Sequence, residues 1–139
     1  MTVFLVTNNT VNGNYGQLAL FSDGAIEAET RNSGIYGYYK YTSSNPIILN
    51  TWSHVCWTQD GSGPKIYFNG VSQTLTDQAT PHDLTTWFSY LSSINESDIG
   101  RFNRVSGDGD YFNGSLDDVR IYNRALSATE INQLYTVGR

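Results

Sequence analysis

Apolar and polar positions alternate along most of this chain, in short runs separated by turn-forming residues. From Trp52 to Gln59 the alternation is that of a strand, with Val55 and Trp57 on one face and His54, Cys56 and Thr58 on the other. Asp60-Gly-Ser-Gly-Pro64 stops the run, and Lys65 to Asn69 resumes it with Ile66 and Phe68 sharing a face. Asn69-Gly70 then supplies a two-residue hairpin turn. Upstream, Thr2 to Thr7 is apolar and β-branched enough for a buried strand. Gln17 to Phe21 and Ala25 to Thr30 flank the turn Ser22-Asp23-Gly24 as hairpin partners. Ile35 to Thr42 is a further strand, with Tyr36, Tyr38 and Lys40 facing one way and Ile35, Gly37, Tyr39 and Tyr41 the other. Ser72 to Glu96 reads as a long excursion with one strand around Thr86 to Leu91. Strand pattern returns over Ser97 to Phe102 and Tyr111 to Tyr122.

The period changes once. Ser127-Ala-Thr-Glu130 is a capping box, and Leu126, Ile131 and Leu134 fall on one side of the short helix predicted over Ser127 to Tyr135. Turns at the spacing of a β-sandwich, with no internal repeat, predict a single all-β domain over residues 1–139: two antiparallel sheets and one short helix. Val55, Trp57, Ile66, Phe68, Val119 and Ile121 are expected between the sheets, and Trp52 and Trp87 are also assigned to the core.

Composition supports this and removes some functions. Charged residues are 15% and aromatics 14%, so the polar surface rests on Asn, Ser, Thr and Gly, which suits twisted sheets better than helices. A formal net charge of -5 and eight scattered Lys and Arg argue against nucleic acid and anionic membranes. No run is long enough for a membrane span, and the N-terminus lacks the pattern of a signal peptide. Cys56, the one cysteine, reads as a half-buried filler.

Two segments carry a family resemblance. WSHVCWTQDGSGPKIYFNGV (Trp52 to Val71) resembles the central hairpin of laminin-G-like, concanavalin A-like lectin and glucanase jelly rolls. IGRFN (Ile99 to Asn103) followed by YFNGSLDDVRIYNRALSATEINQLY (Tyr111 to Tyr135) resembles their closing strands. Phe112, Leu116, Val119 and Ile121 share a face only if the alternation slips once, so a β-bulge is expected at Asp117-Asp118. The family usually has one or two further strands before the region matched here. In the jelly roll the first strand lies beside the last, so the closing strand Leu116 to Tyr122 is expected to leave an edge that pairs in a two-fold homodimer, or that Thr2 to Thr7 covers.

The resemblance implies recognition of a glycan or glycoprotein, and an extracellular, cell-surface or virion setting. Flat aromatic faces and planar hydrogen-bonding groups suit sugars. Tyr36, Tyr38 and Lys40, joined by His54 from a neighbouring strand, are the candidate carbohydrate-binding residues. The alternative is that these are packing residues with wet hydroxyls. Relatives hold calcium at the rim of the sandwich, which makes Asp117 and Asp118, with Asp108 and Asp110 just before them, candidate ligands; alternatively Asp117 and Asp118 accept bonds from backbone groups freed by the bulge.

Two rival functions remain. One is a structural or assembly module of a virion fibre or multidomain surface protein. The other is a glycoside hydrolase. Glu27 and Glu29 sit two apart on a strand, about 6.5–7 Å from each other, where a retaining enzyme needs carboxyls about 5–5.5 Å apart and an inverting one about 6.5–9.5 Å. A solvated acidic face is the plainer reading of this pair, and His54 and His82 have no nucleophile motif beside them.

Overall fold

A computed structural model describes residues 1–139 apart from Asn9, Val11, Asn12, Pro81, His82, residues 104–108 and Arg139. Among the described residues nine strands and one α-helix follow one another: β1 (Thr2–Thr7), β2 (Tyr15–Leu20), β3 (Ile26–Asn32), β4 (Ile35–Thr42), β5 (Val55–Gln59), β6 (Pro64–Phe68), β7 (Val71–Ser72), β8 (Leu75–Asp77), β9 (Glu96–Ile99) and α1 (Ala128–Val137). They form two antiparallel sheets, a six-stranded one ordered β8-β4-β3-β2-β1-β9 and a three-stranded one ordered β5-β6-β7.

The core lies between them. Leu18 and Leu20 of β2, Ile26 and Ala28 of β3, Tyr38 of β4 and Ile66 of β6 form one buried cluster, against which Val55, Trp57 and Phe68 pack. Each fully buried Leu or Ile contributes about 1.5–3 kcal/mol. Because side chains alternate, the same strands send Tyr15, Gln17, Ala19, Glu27 and Glu29 to the outer face of the large sheet.

One expected strand is replaced by a different device. Phe88–Tyr90 is a single 3-10 turn, not a strand. Trp87 and Phe88 stack at 4.3 Å between ring centroids, and Trp57 meets both edge-on at 4.8 and 5.2 Å. Phe88 presses on Gly16 so closely that a Cβ there would stand 2.6 Å from the ring. The aromatic plug therefore requires glycine at that point of β2. Two short strands that alternation did not reveal, β7 and β8, return the excursion to the sheet edges.

The closing segment also departs from expectation. Residues 111–123 form no regular strand, and Val119 and Ile121 are 46% and 71% exposed instead of buried. Trp52, assigned to the core, is 69% exposed. Asp118 takes a left-handed φ of 52°, so the chain kinks where a bulge was expected, but no ladder continues beyond it. β1 pairs with β2 and β9, not with the closing segment.

The helix follows its sequence signal. The Ser127 hydroxyl accepts from the Glu130 backbone N–H, and the Glu130 carboxylate accepts from the Ser127 N–H. Ile131 and Leu126 are buried with Tyr67, and Leu134 and Cys56 pack alongside, docking α1 on the outer face of the small sheet. Burial pushes the Cys56 thiol up to about 11, in keeping with a packing role.

Candidate functional site

A cavity of about 520 Å³ opens on the outer face of the large sheet. Gln17, Glu27, Glu29, Arg31, Tyr36 and Tyr39 are among the residues lining it, with Tyr15 and Phe102 in edge-to-face contact at 5.0 Å along one side. Strand register brings them together: Gln17 lies opposite Glu29, Ala19 opposite Glu27, Glu29 opposite Tyr39 and Arg31 opposite Tyr36. Ala19, opposite Glu27, also lines the opening.

Tyr36 and Tyr39 share this face because the β3–β4 register shifts between Thr30 and Arg31. Their rings lie 5.5 Å apart, and the Arg31 guanidinium sits 4.7 Å over the Tyr36 ring. Simple alternation would have paired Tyr36 with Tyr38. Instead Tyr38 is fully buried against Trp57, so it presents nothing to a ligand.

The other expected site residues are dispersed. Lys40 pairs with Asp77 at 2.7 Å on the β4–β8 edge and lines a smaller depression with Lys65. His54 precedes β5 and faces Tyr135 of α1, with ring centroids 6.1 Å apart. Burial lowers its pKa, opposed by the charge of Asp118 and assisted by Arg120. Of the four candidates only Tyr36 reaches the cavity.

Glu27 and Glu29, read as a solvated pair, are the least exposed charged groups of the site, at 5% and 3%. One amide nitrogen, Gln17 Nε2, donates to Glu27 Oε1 at 2.6 Å and to Glu29 Oε2 at 2.9 Å. The Tyr15 hydroxyl donates to Glu29 Oε1 at 2.6 Å. Burial, then the charge of Glu29, pushes Glu27 up to about 7. Burial raises Glu29 as well, against the pull of its hydrogen bonds from Tyr15 and Gln17. Burial and the two carboxylates also hold the Tyr39 hydroxyl above the usual phenol range. The floor is thus rich in acceptors, with its amide and phenol donors already engaged. Arg31 brings a guanidinium to the rim, where its Nε donates to Gly34. Tyr15 and Glu29 could have been suspected from their spacing across the β2–β3 turn, but nothing in the local pattern marks that face as covered.

Asp117 and Asp118 are both engaged within the chain. Asp118 is engaged through both oxygens by Arg120 at 2.8 Å, and Asp117 accepts from the next backbone N–H. No group of three or more His, Cys, Asp or Glu converges among the described residues. Asp108 and His82 lie outside them.

A two-sheet jelly roll with a built cavity on its larger sheet defines the class. The chain belongs to the concanavalin A-like lectin/glucanases superfamily, which it matches over residues 1–132. Among solved structures it is similar to the CBM40 of the Ruminococcus gnavus IT-sialidase, with TM-score 0.81 and 18% identity over 96% of this chain and 73% of that one. It also resembles NanB sialidase from Streptococcus pneumoniae, with TM-score 0.77 and 20% identity over 95% of this chain but only 21% of the sialidase. An S-layer domain-containing protein from Clostridium thermocellum aligns at TM-score 0.52 and 28% identity over 97% of this chain and 62% of that one. No curated protein matches the sequence.

Proposed function

We propose that this chain is a non-catalytic glycan-binding module and that the cavity on the large sheet is its binding site. The observation that carries this is the convergence of Tyr36, Tyr39, Gln17, Glu27, Glu29 and Arg31 on one opening of about 520 Å³. That size suits one or two sugar rings, and the mix of aromatic faces with planar polar groups suits their two surfaces. The R. gnavus CBM40 has been solved bound to α2,3 sialyllactose. Sialylated glycans are therefore the first ligands to test, with Arg31 available to the acid group. A glycan array followed by calorimetry tests the reading. Tyr36→Ala weakens binding about tenfold, roughly 1.4 kcal/mol, and the absence of any bound glycan refutes it.

The buried Glu27–Glu29 pair favours one second reading, a glycoside hydrolase, since paired carboxyls with raised pKa values are what that chemistry uses. Product release from any arrayed glycan, abolished in Glu27→Gln, would replace the binding reading.

The proposal includes a homodimer. Among the described residues β5 pairs only with β6, and the closing segment exposes Val119 and Ile121. Asp118-Val119-Arg120 is self-complementary: antiparallel two-fold pairing centred on Val119 sets each Asp118 against an Arg120.

A further inference from the structure

We propose that Glu27 and Glu29 act as one proton-sharing unit that grips a pair of adjacent sugar hydroxyls, so that glycan binding is coupled to a proton. This rests on the glycan-binding reading of the cavity and names what its floor does.

The geometry is unusual for two acids. They occupy alternate positions of one strand, point into the same cavity, are almost wholly buried, and draw on the same Gln17 nitrogen. Two full negative charges side by side on one strand need compensation; Arg31 offsets part of the charge on Glu29 and the Met1 amine part of that on Glu27, and in both acids burial outweighs them. Arg31, on β3 itself, also donates to the Gly34 carbonyl, lies over the Tyr36 ring and interacts with Tyr15. From β2 the titratable neighbour is Tyr15, and from β4 they are Tyr36, Tyr39 and Tyr41. Across the cavity stand Asp110, a further acid, and the Met1 amine, which donates to the Leu20 carbonyl at 2.8 Å. The cheapest state retains one proton between the two carboxyls, and the raised pKa values of both agree with it.

Such a pair offers one O–H donor together with carboxyl acceptors. Adjacent hydroxyls of a pyranose are each donor and acceptor, so they match it without leaving a buried polar atom unpaired. A ligand seated on the pair also removes its remaining water. That raises the cost of the doubly charged form and favours the shared proton further. Affinity therefore falls as pH rises above neutrality, with a limiting slope of about tenfold per pH unit.

Two measurements on the whole chain decide the matter. Carboxyl ¹³C NMR follows Glu27 and Glu29 without any ligand, and calorimetry follows the binding of α2,3-sialyllactose and of lactose from about pH 6 to 9. The expected result is one carboxyl step above about pH 6.5 and affinity that declines with pH. In Glu27→Gln, where an N–H donor replaces the shared proton, the decline flattens. Glu29→Gln is the second variant, should the first fail to fold. Both carboxyls titrating below about pH 5.5, or a bound glycan whose affinity ignores pH, overturns the proposal. If neither saccharide nor any arrayed glycan binds, the functional reading fails and the proton coupling of binding falls with it, whereas the NMR titration still reports whether the pair shares its proton.

Discussion

Tyr38 and Glu27 show at the scale of single residues how a polar group inside a sandwich is tolerated. The Tyr38 hydroxyl and Trp57 Nε1 are both buried without a hydrogen-bond partner, although they approach one another. An unmet polar group costs about 1–3 kcal/mol. Tyr38→Phe is therefore expected to leave the melting temperature unchanged or raise it, whereas Tyr38→Ala lowers stability by about 3–5 kcal/mol through the cavity it leaves. Glu27 gives a pH signature. Burial and the charge of Glu29 push its folded pKa up to about 7, above the ordinary carboxyl value of 4.5, so the native state holds a proton that the unfolded chain releases. Stability is full below the unfolded value and declines as pH rises toward 7, by a few kcal/mol at most. Glu27→Gln should melt above the parent protein at pH 8 and lose part of that slope, as thermal unfolding across pH will show. The sequence displayed both acids but not their burial, because alternation with Ala28 and Thr30 says that a face exists and not what covers it.

Among the elements, those defined by local chemistry were the legible ones. The strand Ile35–Thr42 and the capped helix form as the pattern predicts. What alternation could not follow was the face of each tyrosine, since the register shift beside Gly37 reverses it halfway along β4. A glycine inside a strand was the available warning. The closing segment failed for a different reason: strand propensity needs an edge to pair with, and no strand of either sheet hydrogen-bonds to residues 116–122. For α1, Ser127→Ala should cost roughly 0.5–2 kcal/mol, read by denaturant unfolding. Arg124 and the Ser127 N–H together hold the Glu130 carboxyl down at about 2, so the cap is intact above its ordinary range and loosens as pH falls toward that value.

For the whole molecule, the uneven sheets decide what is left open. Sedimentation at micromolar concentration should find a dimer, and either Asp118→Arg or Arg120→Asp should dissociate it by setting like charges opposite one another. Mixing those two variants restores the pair, since each now carries the charge the other lacks; a mixture that stays monomeric would refute the two-fold arrangement. The order of the strands bears on something else, the making of the protein. Tyr15 to Tyr39, which supply the floor and aromatic wall of the cavity, belong to one unbroken meander of neighbouring hairpins, β2-β3-β4. Contacts so close in sequence form early. These strands, with β1 that precedes them and borders β2, are made before β8 and β9, which close the two edges of the large sheet. At about 5–20 residues per second, the sheet that floors the cavity carries open edges for several seconds, and an open edge is a template for pairing with a neighbouring chain.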